Sequence, residues 1–149
     1  MVGAGPRRQS GDGKEFDFLA TAAACAEVHT QILEFTTAAG FKDVAQLELD
    51  LALQEALANA LIHGCKKDAS KQIHCRVSME NGAVVITIAD PGPGFDPEAV
   101  PDPLSEVGQG RFSGRGVHFI RSVMDEVSYA RNGAELTMRK RLQSAPSGS

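Results

Sequence analysis

The chain has 149 residues and a mass of 15.8 kDa, room for one domain, so any chemistry must come from a single folded unit. Hydrophobic residues make up 42% and charged residues 23%, the balance of a packed domain rather than of a disordered or fibrous chain. Fifteen basic against nineteen acidic residues leave a net charge of -4, without the cationic footprint that binding to a phosphate backbone demands, which argues against nucleic acid as a direct partner.

The best uncharged apolar stretch, 18–26, lies between Asp17 and Glu27 and is less than half of the ~20 residues that a membrane-spanning helix needs. Arg7-Arg8 is followed by polar sequence where an export signal would turn apolar, so a cytoplasmic, non-membrane protein is expected. Cys25, Cys65 and Cys75 have neither CxxC nor zinc-finger spacing and are expected to be reduced, buried thiols. Residues 1–13 and 143–149, rich in Gly, Ser and polar side chains, are expected to be disordered ends around one folded unit, 14–142.

Within that unit a short strand is predicted over 15–19. Thr21 then caps a helix whose Cys25, Val28, Ile32 and Phe35 recur at helical spacing and which Gly40 ends. Asp43 with Gln46 resembles a capping box, and the next helix continues to His63 before Gly64, a residue that suits a helix C-terminus. Residues 72–79 alternate as a half-buried strand, and Asn81-Gly82 supplies a two-residue turn that sets Met79 opposite Val84. From that register Ile86, Ile88 and Asp90 share the buried face. Residues 95–113, with three prolines and little periodicity, are predicted to form a lid loop. Gly114-Arg115-Gly116 opens a third helix with Val117, Ile120, Val123 and Met124 as its apolar stripe. A last hairpin around Asn132-Gly133 should pair Tyr129 with Leu136 and Val127 with Met138. The expected architecture is an α+β two-layer sandwich, a mostly antiparallel sheet of about four to five strands against three helices.

Three features break the packing pattern. On the second helix Glu55 falls on the line of Val44, Leu47, Leu51, Ala58 and Ile62, which predicts an inward carboxylate, and Asn59 and His63 follow at i+4 and i+8 as a polar ladder. A parallel row, Leu49, Leu53, Leu57 and Leu61, covers another side. The ladder reads either as a solvated groove edge or as a carboxylate base beside a metal-binding amide. Asp90 ends its strand facing inward before Pro91-Gly92-Pro93-Gly94. It is either a turn-capping residue or an acceptor beside backbone that a flat ligand can approach closely. Gly114-Arg115-Gly116, ahead of a helix N-terminus, offers N–H groups and a guanidinium to an anion.

The set Glu55-x-x-x-Asn59-Ala60-x-x-His63-Gly64, Asp90-x-Gly92-x-Gly94 and Gly114-Arg115-Gly116, in that order, resembles the GHKL ATPases, which have the Bergerat ATP-binding fold. The short chain and segments 55–64 and 121–127 look like the bacterial anti-sigma-factor serine/threonine kinases. The resemblance implies ATP and Mg²⁺ as cofactors. It implies that Glu55 accepts the proton of a substrate hydroxyl, Asn59 holds Mg²⁺, and Asp90 binds the adenine amino group. Gly92 and Gly94 would seat the base, and Gly114, Arg115, Gly116 and Val117 would meet the phosphates. His63 would lie in the same pocket, and Arg111 or Arg115 would reach the γ-phosphate from the lid. Ala134 stands where the family often has threonine. Implied partners are a sigma factor and a STAS-type anti-sigma-factor antagonist, with the chain as a homodimer. Two alternatives remain open: a protein that binds ATP or ADP and sequesters a partner without catalysis, and the ATPase domain of a histidine kinase.

Overall fold

The computed structural model describes residues 8–10, 13–66, 68–92, 114–130 and 134–143, with the side chains of 8–10, 63 and 114–117 outside that description. Strands β1 (Arg8–Ser10) and β2 (Gly13–Leu19) are followed by helices α1 (Ala22–Ala39) and α2 (Asp43–Asn59). Strands β3 (Gln72–Glu80) and β4 (Ala83–Ala89), helix α3 (Gly114–Val123) and strands β5 (Glu126–Ala130) and β6 (Glu135–Arg141) complete the fold. The strands form one antiparallel sheet in the order β1-β2-β3-β4-β6-β5. The predicted α+β sandwich with three helices is therefore present. Its sheet gains a three-residue edge strand, β1, from the segment expected to lie outside the folded unit.

Alternation sets the sheet's inner face. Phe16 and Phe18 of β2, Ile73, Cys75 and Val77 of β3, Ile86 and Ile88 of β4 and Leu136 and Met138 of β6 are buried. They pack against Cys25, Val28 and Ile32 of α1, Leu49, Leu53 and Leu57 of α2 and Ile120 of α3. The β3–β4 turn has Asn81 at φ 53° and Gly82 at φ 79°, the left-handed pair that a tight hairpin turn requires, and Met79 faces Val84 as predicted. In the last hairpin Tyr129 faces Leu136 and Val127 faces Met138; the turn itself, 131–133, lies outside the described residues. On the outer face His74 joins β2 to its own strand, with Nδ1 2.6 Å from Asp17 Oδ1 and Nε2 3.3 Å from Glu15 Oε2.

Helix ends follow the sequence in one case and depart from it in another. Thr21 Oγ1 accepts the Ala24 N–H at 3.1 Å, and Gly40 closes α1 at φ 119° with its N–H on the Thr36 and Thr37 carbonyls. The expected capping box at Asp43 and Gln46 does not form. Lys42 holds the cap position without a side-chain bond, and Asp43 has φ 57°. The Gln46 amide turns instead to α1, accepting from Thr36 Oγ1 at 2.9 Å and donating to the Leu33 carbonyl at 3.3 Å. Thr36 is fully buried and its hydroxyl also lies 3.0 Å from the Leu33 carbonyl, so the Gln46 amide closes a part-buried network of three polar groups, worth more than a bond at a solvated helix cap.

Candidate functional site

Helix α2 carries the candidate residues and lies between α1 and α3. Its burial corrects one expectation. The line Val44, Leu47, Leu51 and Ile62 is the exposed face, at 67, 55, 37 and 41% exposure, while Leu49, Ala52, Leu53, Ala56 and Leu57 are the buried one. Glu55 therefore does not point into the core. It is half-buried, as is Asn59 one turn on, at the margin between the solvated and packed sides. Two apolar rows on one helix cannot be ranked by spacing alone. The row that meets both the sheet and the flanking helices is the one buried.

Beyond Asn59 the helix widens into one π-type turn, Ala60–Gly64, with the Cys65 N–H on the Ala60 carbonyl at 2.8 Å. Such turns are uncommon and are frequent near functional sites. Gly64 is more than a helix stop: a Cβ there would overlap the Asp90 carboxylate. A Cβ on Gly92 would overlap the Gly64 carbonyl and stand 2.9 Å from Asp90 Oδ1. Gly64, Asp90 and Gly92 thus interlock where the end of α2 meets the end of β4. The sequence signal for this is the glycine two residues after Asp90 and the glycine after His63, which local turn chemistry alone also accounts for.

Asp90 is half-buried and held from two sides. Its N–H donates to the Ala134 carbonyl at 3.0 Å, continuing the β4–β6 ladder. Its Oδ1 accepts the Gly92 N–H at 2.8 Å. The turn-capping alternative is therefore realised, and the same bond fixes the carboxylate's direction. Ala134 is buried and meets Asp90 through its backbone. Nearby, burial pushes the Cys65 thiol up, with the Asp90 charge adding to the effect, so Cys65 is a packing thiol and not a nucleophile. Gly92 packs against Gly64 and Asp90, so its missing side chain first serves the interlock.

Helix α3 begins at Gly114, as the glycine turn predicts, with Ile120 buried and Val123 half-buried, and Met124 just past its end is buried too. Lys140 of β6, 9% exposed, ties this helix to α2: its Nζ donates to Glu48 Oε1 at 2.9 Å and to the Val123 carbonyl at 2.7 Å. Sequence reading missed it, because a lysine on an alternating strand gives no sign that its ammonium is needed inside. The backbone of Gly114, Gly116 and Val117 falls in α3, whereas the side chains of His63, Arg115 and Val117 lie outside the described residues, as do Gly94, Arg111 and the lid 95–113. His118 is exposed, and His29 Nε2 lies 2.8 Å from Asp50 Oδ1 between α1 and α2.

The donor set suits a nucleotide. A fixed carboxylate acceptor stands at the sheet's end, a carboxylate and an amide project one turn apart from α2, and α3 starts with glycine backbone, a helix end that favours phosphate. Among the described residues no cluster of three or more His, Cys, Asp or Glu could hold a metal by itself. No described helix is long and apolar enough to cross a membrane.

Comparison with known proteins agrees with this arrangement. The family described as histidine kinase-like ATPase domain matches residues 18–140. The anti-sigma F factor of Bacillus subtilis (strain 168) is 32% identical over 83 residues, 54% of this chain and 57% of that protein. That of Geobacillus kaustophilus (strain HTA426) is 31% identical over 100 residues, 64% and 68% of the two chains. That of Bacillus licheniformis is 32% identical over 89 residues, 54% and 57%. The chain thus spans little more than half the length of several curated relatives it matches. With the family matched across both hairpins, the three helices and the Gly64–Asp90–Gly92 interlock, the chain belongs to the histidine kinase-like ATPases, the GHKL group.

Proposed function

We propose that the protein is an anti-sigma factor and an ATP-dependent serine/threonine kinase, which binds a sigma factor and phosphorylates a STAS-type antagonist of that binding in the cytoplasm. The observation that carries this is the seating of Asp90 on Gly64, which couples an adenine acceptor to the helix that presents Glu55 and Asn59. Support for the partners comes from the anti-sigma F factors it resembles; a homodimer rests on the resemblance alone.

In this reading MgATP supplies the phosphoryl group and the cationic charge that offsets the phosphates. Asp90 would accept from the adenine amino group, Asn59 would offer its amide oxygen to the metal, and the N–H groups at the start of α3 would be available to the phosphates. Glu55 would take the proton of the antagonist's hydroxyl as that oxygen bonds to the γ-phosphorus and ADP leaves with the bridging oxygen. Placing these groups is most of what phosphoryl transfer requires.

Glu55→Ala tests the kinase claim. Intact mass of the antagonist after incubation with MgATP should show phosphate addition slowed by at least about 100-fold, the range for loss of a general base. An unchanged rate would remove Glu55 from the chemistry. Partner binding without any phosphate addition by wild type would instead favour nucleotide-dependent sequestration.

A further inference from the structure

We infer that the outer face of α2 is a docking surface for a basic amphipathic helix of a partner protein. Val44, Leu47 and Leu51 are 67, 55 and 37% exposed and follow one another at i, i+3 and i+7, the spacing at which one helix face presents anchors to another. Scattered surface hydrophobics need no explanation, but a continuous helical line of them does. These side chains contribute nothing to the core, which α2 fills with Leu49, Leu53 and Leu57.

Charge decides the occupant. Helix α2 holds Asp43, Glu48, Asp50 and Glu55, the neighbouring α1 holds Glu27 and Glu34, and neither helix contains Lys or Arg. On the helical wheel Asp43 lies on one margin of the stripe and Glu48 and Glu55 on the other. Lys140 engages Glu48 from beneath and leaves its side chain 34% exposed. A second copy of this chain would have to set the same acids against each other across a two-fold axis, which opposes self-association through this face. A helix with leucine-like anchors and flanking Lys or Arg satisfies both the apolar line and its acidic margins. Past Leu51 the same line passes Glu55 and continues to the exposed Ile62 of the π turn, so a docked helix would reach the candidate site. The inference does not depend on nucleotide binding.

The test uses the full chain and two synthetic helical peptides of roughly 18 residues, long enough to form helix on docking. One has leucine on one face and lysine elsewhere, and its counterpart has glutamate in place of lysine. Fluorescence anisotropy should show saturable one-to-one binding of the lysine peptide and none of the glutamate peptide. Leu47→Glu adds charge that attracts the lysine peptide while removing an apolar anchor. Binding should nonetheless weaken at least about tenfold, and Val44→Glu should repeat the result with helicity unchanged by circular dichroism. The inference is overturned by wild type binding neither peptide or both equally, or by Leu47→Glu binding as tightly as wild type. It is equally overturned by a wild-type dimer in sedimentation that Leu47→Glu converts to monomer.

Discussion

Gly64 and Gly92 show how a site is specified by side chains that are absent. The Asp90 carboxylate occupies the space that a Cβ on Gly64 would need, and the Gly64 carbonyl occupies the space beside Gly92. Gly64→Ala must therefore displace Asp90 or push apart the ends of α2 and β4. It should cost about 1–3 kcal/mol in urea unfolding, the usual range for overpacking, and lower nucleotide affinity in parallel. Retained stability and affinity would show that the interlock is dispensable. The thiols make a separate prediction at this scale. Burial, with a smaller contribution from Cys65, pushes the Cys25 thiol from 9.0 up to about 11, and burial likewise raises Cys65 and Cys75. Because the folded value exceeds the unfolded one, the stabilisation is complete below pH 9 and is lost as pH rises toward 11. Cys25 alone accounts for up to about 3 kcal/mol across that window at 1.36 kcal/mol per unit. The urea midpoint should fall between pH 9 and 10.5, less steeply in Cys25→Ala; an identical slope in the variant would assign the alkaline loss elsewhere.

Elements were legible in the sequence where local chemistry and tertiary packing agree. Thr21 and Gly40 bound α1, and the two hairpin registers follow from Asn-Gly turns flanked by alternating residues. They diverged where a distant partner outbid the local choice. Gln46 left the predicted capping box for the buried Thr36, and α2 turned its Val44–Leu47–Leu51 row outward because its other leucine row meets the sheet. Of the candidate site, Asp90's placement could be read from hairpin register, since every second residue from Val84 faces one side. The π turn and the reason for Gly64 could not, because both depend on where the end of β4 arrives. Lys140 was equally hidden, and it links three elements: β6, the Glu48 carboxylate on α2 and the last turn of α3. Lys140→Met should destabilise the fold by about 1–3 kcal/mol, since a helix-end carbonyl and a carboxylate lose a charged donor. Amide exchange in the last turn of α3 should quicken with it. Exchange that quickens uniformly across the molecule would mean general destabilisation rather than a tie between helices.

Across the whole molecule, a six-stranded antiparallel sheet holds one helical layer whose middle member reaches both the sheet's end and the solvent. The same helix therefore carries the candidate residues Glu55 and Asn59 toward one end and the exposed Val44, Leu47 and Leu51 toward the other. The family assignment fixes the class of machine, and the claim on which the proposed catalytic function depends is that Asp90 anchors a nucleotide in this chain. Calorimetric titration of MgATP and MgADP into wild type and Asp90→Asn tests it most directly. The account predicts saturable one-to-one binding by wild type and its loss in Asp90→Asn, because the amide replaces one acceptor oxygen with a donor at a position already fixed by Gly92. Binding of equal affinity by a folded Asp90→Asn would contradict it.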